Sequence, residues 1–327
     1  MARSGCARLI RQDRVARPCP AWGWRVKVVL AGGTGALGRR LADAAAARGD
    51  EVVVLTRAPR PGSAHRQVRW DGVTVGAWAE ELADAVLINL AGELVDRRPT
   101  PANIALLTRS RVQPTEALKA AADMAAMPPR LWVQLSTLAI YGDAGDSVLD
   151  ESSPIGSEPA QMCGVASAWE AAAAGATAGR QVILRAAAVL DRATPALDRL
   201  TAIARWGIGG RISTGQQWVS WLHIDDFLAI VDRVIADPDL MGIVHATSPN
   251  PVRNSALMRE LRHAVHRPPA PPTPAWLVKL GAVVLRTDPA LALTGRRAIP
   301  AKLNAVGHQF RYPDLPDALT ELLAPQA

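Results

Sequence analysis

Cysteine, tyrosine and lysine are scarce in this 327-residue chain. The three cysteines, Cys6, Cys19 and Cys163, show neither zinc-site spacing nor a disulfide framework. No metal site is therefore expected, and a reducing cytoplasm is the simplest home. No run approaches the roughly 20 apolar residues of a membrane-spanning helix; the 49% hydrophobic content is spread in short runs, as suits a soluble globular protein. The two tyrosines, Tyr141 and Tyr312, are followed four residues later by Gly145 and Pro316, and residues 120–278 contain no lysine. Clustered basic residues with interleaved aromatics, the mark of a nucleic-acid surface, are missing too. Neither nucleic acid nor membrane is an expected partner.

The net charge is +7, of which the first 25 residues supply +5 through six arginines against Asp13. That leaves an ordinary balance for the remainder. Residues 1–25 lack a continuous apolar core and so are no secretory signal; being Arg-rich and acid-poor, they fit a transit peptide weakly. They read as a disordered leader or a start assigned too far upstream, since a strand opens at Val26.

From there short β-branched runs alternate with alanine-rich helical stretches. Strands are expected at 26–30, 52–55, 86–90, 131–135, 182–184 and 243–245. Near-continuous apolar strands separated by helices imply a parallel sheet covered on both faces. Right-handed crossovers make this an α/β Rossmann fold with a doubly wound sheet. After Pro249-Asn250-Pro251 the texture changes, and prolines cluster at 268–274. The expected organisation is a Rossmann domain over 26–249, with 191–222 joining a substrate cap, and a small, mostly helical C-terminal domain over 250–327.

Gly32-Gly33-Thr34-Gly35-Ala36-Leu37-Gly38 follows the first strand and opens a helix. Glycines at 32, 35 and 38 permit a tight turn, approach of backbone N–H groups to a pyrophosphate, and close helix packing. The unpaired amides and the dipole at a helix start favour an anion. About 20 residues on, where an NAD site places an acid for the ribose 2′-hydroxyl, the second strand ends in Thr56-Arg57. A guanidinium pairs with a 2′-phosphate that a carboxylate would repel. NADP(H) is therefore the expected cofactor, ahead of NAD(H).

With these residues in view, the chain resembles the extended short-chain dehydrogenase/reductases, and more closely the atypical YfcH-like epimerase-family branch of the NAD-dependent epimerase/dehydratase superfamily. Its members are usually named nucleoside-diphosphate-sugar epimerases. The further landmarks are Asn89-Leu90-Ala91-Gly92-Glu93, Ser110-Arg111, Tyr141-Gly142-Asp143, Trp169-Glu170, Trp221-Leu222-His223-Ile224-Asp225-Asp226 and Gly307-His308-Gln309-Phe310. The resemblance implies that Leu90 and Ala91 pass the cofactor ribose, that Arg111 reaches its phosphate or ribose groups, and that Val189 lies near the nicotinamide. A homodimer is expected by the same analogy.

Classical members use a Ser or Thr hydroxyl, a Tyr, and a Lys four residues after it. Counted back from Glu170, the Tyr and Lys positions fall on Met162 and Ala166, neither of which transfers a proton. The hydroxyl is better placed: Thr137, with Ser136 adjacent, ends a strand just before Tyr141. The candidate catalytic set is Thr137, Ser136 and Tyr141, with Glu93, Asp143 and His223 as other acids, although His223 suits a local hydrogen bond and Asp225 or Asp226 a helix cap. Trp206, Trp218 and Trp221 suit either substrate stacking or ordinary packing. His263 and His266 without a third ligand make a poor metal site. Two readings remain: an NADP(H)-dependent oxidoreductase or epimerase of a sugar nucleotide or other small carbonyl compound, or an NADP(H)-binding protein with little turnover, serving sensing, structure or partner binding.

Overall fold

A computed structural model describes residues 25–192 and 194–324. The expectation of a leader falls mainly on residues outside that range. Seven strands form one parallel sheet: β1 (Lys27–Ala31), β2 (Glu51–Thr56), β3 (Arg66–Arg69), β4 (Val86–Asn89), β5 (Leu131–Thr137), β6 (Gln181–Ala186) and β7 (Gly242–Ala246). Their order is β7-β6-β5-β4-β1-β2-β3, and every neighbouring pair is parallel. This is the doubly wound Rossmann arrangement. Strand order reverses between β1 and β4, which opens a crevice at the carboxyl ends of those strands.

The helices that cover the sheet explain why the strands read as unbroken apolar runs. Alternate residues serve opposite cores. Val28, Leu30, Val52, Val54, Val86 and Ile88 pack into one cluster, and Val29, Ala31, Val53, Leu55 and Leu87 into the other. Helices α1 (Ala36–Ala47) and α5 (Ile224–Ala236) lie on the first side, and α2 (Pro101–Met124) on the second. Between them in sequence come α3 (Cys163–Ala173) and α4 (Pro195–Arg205). The strand at 66–69 was not expected. It is the sheet edge, its sequence is Arg-Gln-Val-Arg, and an edge with a half-solvated surface needs no apolar run.

Beyond residue 250 the chain is mainly helical: α6 (Asn254–Ala264), α7 (Ala275–Leu285), α8 (Ala290–Leu293), α9 (Ala301–Ala305) and α10 (Leu315–Leu323). Leu303, Leu315, Leu319 and Leu322 join the same core as β1 and α5. Two short pairings add to the tie, Trp218–Val219 with Val252–Arg253 and Val148–Leu149 with Arg297–Ala298, while Ala188–Leu190 pairs with Trp221–His223 before residue 250. Among the described residues no helix is long and apolar enough to cross a membrane.

Candidate functional site

The glycine bend between β1 and α1 is shaped by contacts that only glycine permits. Gly32 has φ +76°, and a Cβ there would lie 2.9 Å from the Ala91 Cα. At Gly38 a Cβ would lie 2.5 Å from the Gly33 Cα, so the first turn of α1 rests directly on the bend. Gly35 differs: its nearest neighbour would be the Gly32 carbonyl oxygen at 3.7 Å. The fold does not require a glycine there, yet that residue leaves open space in front of the helix start. Gly35 is the N-cap of α1, and no side chain caps that end. The amides of Ala36 and Leu37 open a helix whose dipole favours an anion. Thr34 is exposed, and its carbonyl accepts from Arg39 Nη1 at 2.7 Å. The cradle thus fits a pyrophosphate.

Close contact brings the second loop to this bend. Leu90 N donates to Ala31 O at 2.9 Å, and the Asn89 side chain fixes the turn from below. Its Oδ1 accepts from Ala91 N at 3.1 Å, while its Nδ2 donates to Thr115 Oγ1 and Gln134 Oε1 at 2.8 and 3.0 Å. Arg111, expected to reach toward a cofactor, is 9% exposed. Its Nη2 donates to Glu93 O at 2.9 Å, its Nη1 to Leu107 O at 3.2 Å, and its guanidinium lies 5.1 Å from the Trp169 ring centroid. Burial lowers its pKa to about 10, partly offset by the Glu93 charge. In this arrangement Arg111 braces the 91–93 loop from behind. Thr56 is buried at the end of β2 with its Oγ1 accepting from Ala58 N at 3.4 Å. Arg57 stands out into solvent: its side chain is 80% exposed and its Nη2 lies 3.9 Å from Glu93 Oε1. Glu93 is also 3.3 Å from Arg97. Val189 is half-buried in the short strand beside Leu222.

At the end of β5 the three candidate hydroxyls differ in what they have left to offer. Thr137 is half-buried, and its Oγ1 accepts from Ala139 N at 3.1 Å, which leaves the hydroxyl proton to donate. Ser136, expected beside it as a substrate donor, is 3% exposed and gives its proton to Glu170 Oε1 at 2.5 Å. Tyr141 is 4% exposed. Its oxygen accepts from Arg185 Nη1 at 2.7 Å and lies 2.7 Å from His245 Nε2. His245 Nδ1 is 3.0 Å from Ile299 O, a carbonyl that only accepts, so Nε2 is left as acceptor for the phenol proton. Burial raises the Tyr141 pKa and lowers that of His245, which keeps both neutral. Glu170 closes the network with two bonds from Arg185, at 2.9 and 2.8 Å. Strand register builds this chain: Ser136 is level with Arg185, and Arg185 with His245. The expected roles of Ser136 and Tyr141 as free proton donors do not agree with this geometry, because both hydroxyls are spent on buried partners.

Met162 and Ala166, which occupy the Tyr and Lys positions, are 8% and 2% exposed. Arg296 from the C-terminal region lies beside Met162, with Nη2 3.8 Å from its sulfur and Nε donating to Gly142 O at 2.8 Å. Burial lowers the Arg296 pKa. Asp143 is occupied, its Oδ1 accepting from Gly295 N at 3.0 Å. Trp221 is fully buried packing, Trp218 is sandwiched by Arg253 and Arg297 at 4.0 and 4.6 Å, and Trp206 is 83% exposed. His223 itself caps α5, its Nδ1 accepting from Asp225 N at 3.0 Å. Asp226 instead accepts from Arg311 N and Tyr312 N, so neither aspartate caps that helix. Among the described residues no cluster of three metal-ligating side chains exists.

Sequence reasoning missed the Asn89–Thr115–Gln134 and Glu170–Arg185–His245 groups. The available signal was a lone polar residue inside each apolar strand: Asn89, Gln134, Arg185 and His245 all sit in runs that otherwise read as core.

Comparison with known proteins gives concordant matches. The family described as "NAD dependent epimerase/dehydratase family" matches residues 28–245, and "Domain of unknown function (DUF1731)" matches 273–322. Epimerase family protein SDR39U1 of Bos taurus is 32% identical over 304 residues, which span 91% of this chain and 100% of that protein. The crystal structure of human SDR39U1 with NADPH superposes with a TM-score of 0.81 at 30% identity, covering 91% of this chain and 99% of the other. A nucleoside-diphosphate sugar epimerase from Corynebacterium glutamicum gives 0.74 at 29% identity, covering 92% of this chain and 59% of the other.

Proposed function

The chain belongs to the NAD dependent epimerase/dehydratase family, and from that premise we propose that it binds NADP(H) across the β1–β4 crevice and acts on a small carbonyl or hydroxyl compound, a sugar nucleotide being the favoured class. The observation that carries this reading is the pairing of an open helix start at Gly35 with an extended, solvent-facing Arg57 at the end of β2. The first suits a diphosphate and the second a 2′-phosphate. The human relative was solved with NADPH, which supports the same cofactor. Residues 32–38 would hold the diphosphate, Thr56 and Arg57 the adenosine end, Leu90 and Ala91 the ribose, and Val189 the nicotinamide end. Arg111 keeps the 91–93 loop in place.

When bound, the nicotinamide supplies or accepts a hydride. The chain's own contribution is to position the substrate, and Thr137 is the hydroxyl left to do it. Its oxygen is held by the Ala139 amide, which leaves its proton available to donate to a ligand oxygen. The buried Ser136–Glu170–Arg185–Tyr141 chain underlies that strand end and makes it rigid. A second reading, cofactor binding with little turnover, is favoured by one observation: no ionisable side chain replaces the Tyr and Lys at 162 and 166, a loss worth about 10²–10⁴ in rate where a positioned acid is used. We place the protein in the cytoplasm on its cysteine usage. The test is NADPH oxidation over a panel of carbonyl substrates, including nucleotide keto-sugars, in wild type and Thr137→Val. The enzyme reading expects turnover that falls with Thr137→Val at unchanged NADPH affinity. Turnover indifferent to the substitution removes Thr137 from the site, and no turnover with tight NADPH binding favours the second reading.

A further inference from the structure

Helices on a globular protein turn their apolar side chains inward. Helix α7 does the reverse. Ala282 is its one buried residue, while Trp276, Leu277, Leu280, Val283, Val284 and Leu285 are 43 to 75% exposed. At 3.6 residues per turn Trp276, Leu280, Val283 and Val284 form one continuous outer stripe. The helix is not loosely attached: Arg98 donates to Val283 O, and Asp96 accepts from Thr287 at its far end. Those two bonds bring up the 94–98 loop, where Leu94 is 70% exposed. Among the described residues nothing covers this face.

Charge distinguishes the possible occupants. From 261 to 287 the sequence carries Arg262, Arg267, Lys279 and Arg286 and not one Asp or Glu. Lys279 and Arg286 are exposed on α7 and at its C-cap. A second copy of this face would bring the same cations, and the acid beside it, Asp96, is already engaged by Thr287 and Arg199. Phosphate headgroups provide the missing anions, and acyl chains provide the solvent for Trp, Leu and Val. We propose that α7 seats the protein on an anionic lipid surface. Tryptophan and leucine on one side with lysine and arginine beside them is the composition of helices that lie in the membrane interface, bound by buried apolar area and by attraction to acidic lipids. The sequence expectation of no membrane partner rested on the lack of a spanning run, and a surface seat needs none.

The experiment is flotation of the full chain with vesicles of phosphatidylcholine containing phosphatidylglycerol, against vesicles of phosphatidylcholine alone. The protein is expected to float with the acidic vesicles and to be released as salt shortens the Debye length. Leu280→Asp with Val284→Asp should weaken vesicle binding by about tenfold or more. Met127→Asp, a change at a 60% exposed position elsewhere, should leave it intact. Lys279→Glu with Arg286→Glu should weaken it severalfold while NADPH affinity, a check of folding, stays constant. Absence of flotation overturns the proposal, as does equal binding to neutral vesicles or indifference to the α7 changes. Concentration-dependent dimerisation abolished by Leu280→Asp, without vesicle binding, would give the face to a second copy and also overturn it.

Discussion

Replacing Arg57 by alanine separates cofactor selectivity from folding unusually well, because the side chain does so little for the fold. It is 80% exposed, and its nearest carboxylate oxygen is 3.9 Å away on Glu93. Surface pairs of this kind are worth about 0–1 kcal/mol, so the melting temperature of the free protein should scarcely move. Hydrogen bonds to a charged phosphate are worth about 1.5–3 kcal/mol, which corresponds to about 10- to 150-fold in NADPH affinity. NADH has no 2′-phosphate and should bind as before. Titration of both nucleotides by calorimetry reads the two affinities directly. A thermal shift gives an independent check, since ligand at 100 times its Kd adds about 2.7 kcal/mol to stability, and Arg57→Ala should lose about half of that gain or more for NADPH alone. Arg57→Lys should recover only part of it, because an ammonium lacks the two-pronged geometry. An NADPH preference unchanged in Arg57→Ala would refute the argument that this guanidinium reads the 2′-phosphate.

Glu93→Gln removes the carboxylate facing Arg57 and should tighten NADPH severalfold while leaving NADH unchanged, read in the same titration. The glycines should divide by role: Gly38→Ala, whose Cβ would lie 2.5 Å from Gly33 Cα, should cost about 1–3 kcal/mol in denaturant unfolding, whereas Gly35→Ala should leave stability unaltered and weaken dinucleotide binding by about tenfold or more. Glu170→Ala strands Arg185, whose side chain is 4% exposed, and should cost about 3–5 kcal/mol; Tyr141→Phe leaves Arg185 and His245 short of a partner and should cost about 1–3 kcal/mol, with NADPH affinity kept in both. A Tyr141→Phe protein of full stability would show that the buried network does not support the strand end. Burial depresses the pKa of His245 and His308 below the ordinary imidazole value, so between the two pKa values the unfolded chain binds more protons. Stability should therefore fall as pH drops through about 6.5, by at most about 1.4 kcal/mol per pH unit for each histidine, and His245→Gln should flatten the slope.

Most of the sheet was readable along the chain. The runs at 52–55, 86–90 and 131–135 are apolar because both faces of β2, β4 and β5 are covered, a property that each strand carries in its own residues. The edge strand β3 escaped for the complementary reason: a polar four-residue segment that faces solvent has no pattern to give it away. The glycine bend was likewise legible, since a strand, a turn and a helix start lie within twelve residues of one another. Other contacts were not. That Arg111 turns behind its loop, that His245 meets Tyr141 across 104 residues, and that Arg296 comes to rest beside Met162 depend on strand register and on where the C-terminal helices dock.

Taken alone, the sequence determined the doubly wound architecture, the position of the anion-seeking bend, and the absence of the Tyr and Lys pair, because periodicity, turn chemistry and residue identity are local quantities. Only the tertiary structure decided which hydroxyls are available. Ser136, Thr137 and Tyr141 lie within six residues and look equivalent in one dimension, yet Glu170 on α3 engages the first, Arg185 and His245 on neighbouring strands engage the last, and Thr137 is left with a proton to give. The same holds for α7, whose composition suits a core helix. Its outward orientation follows from docking that no local pattern specifies.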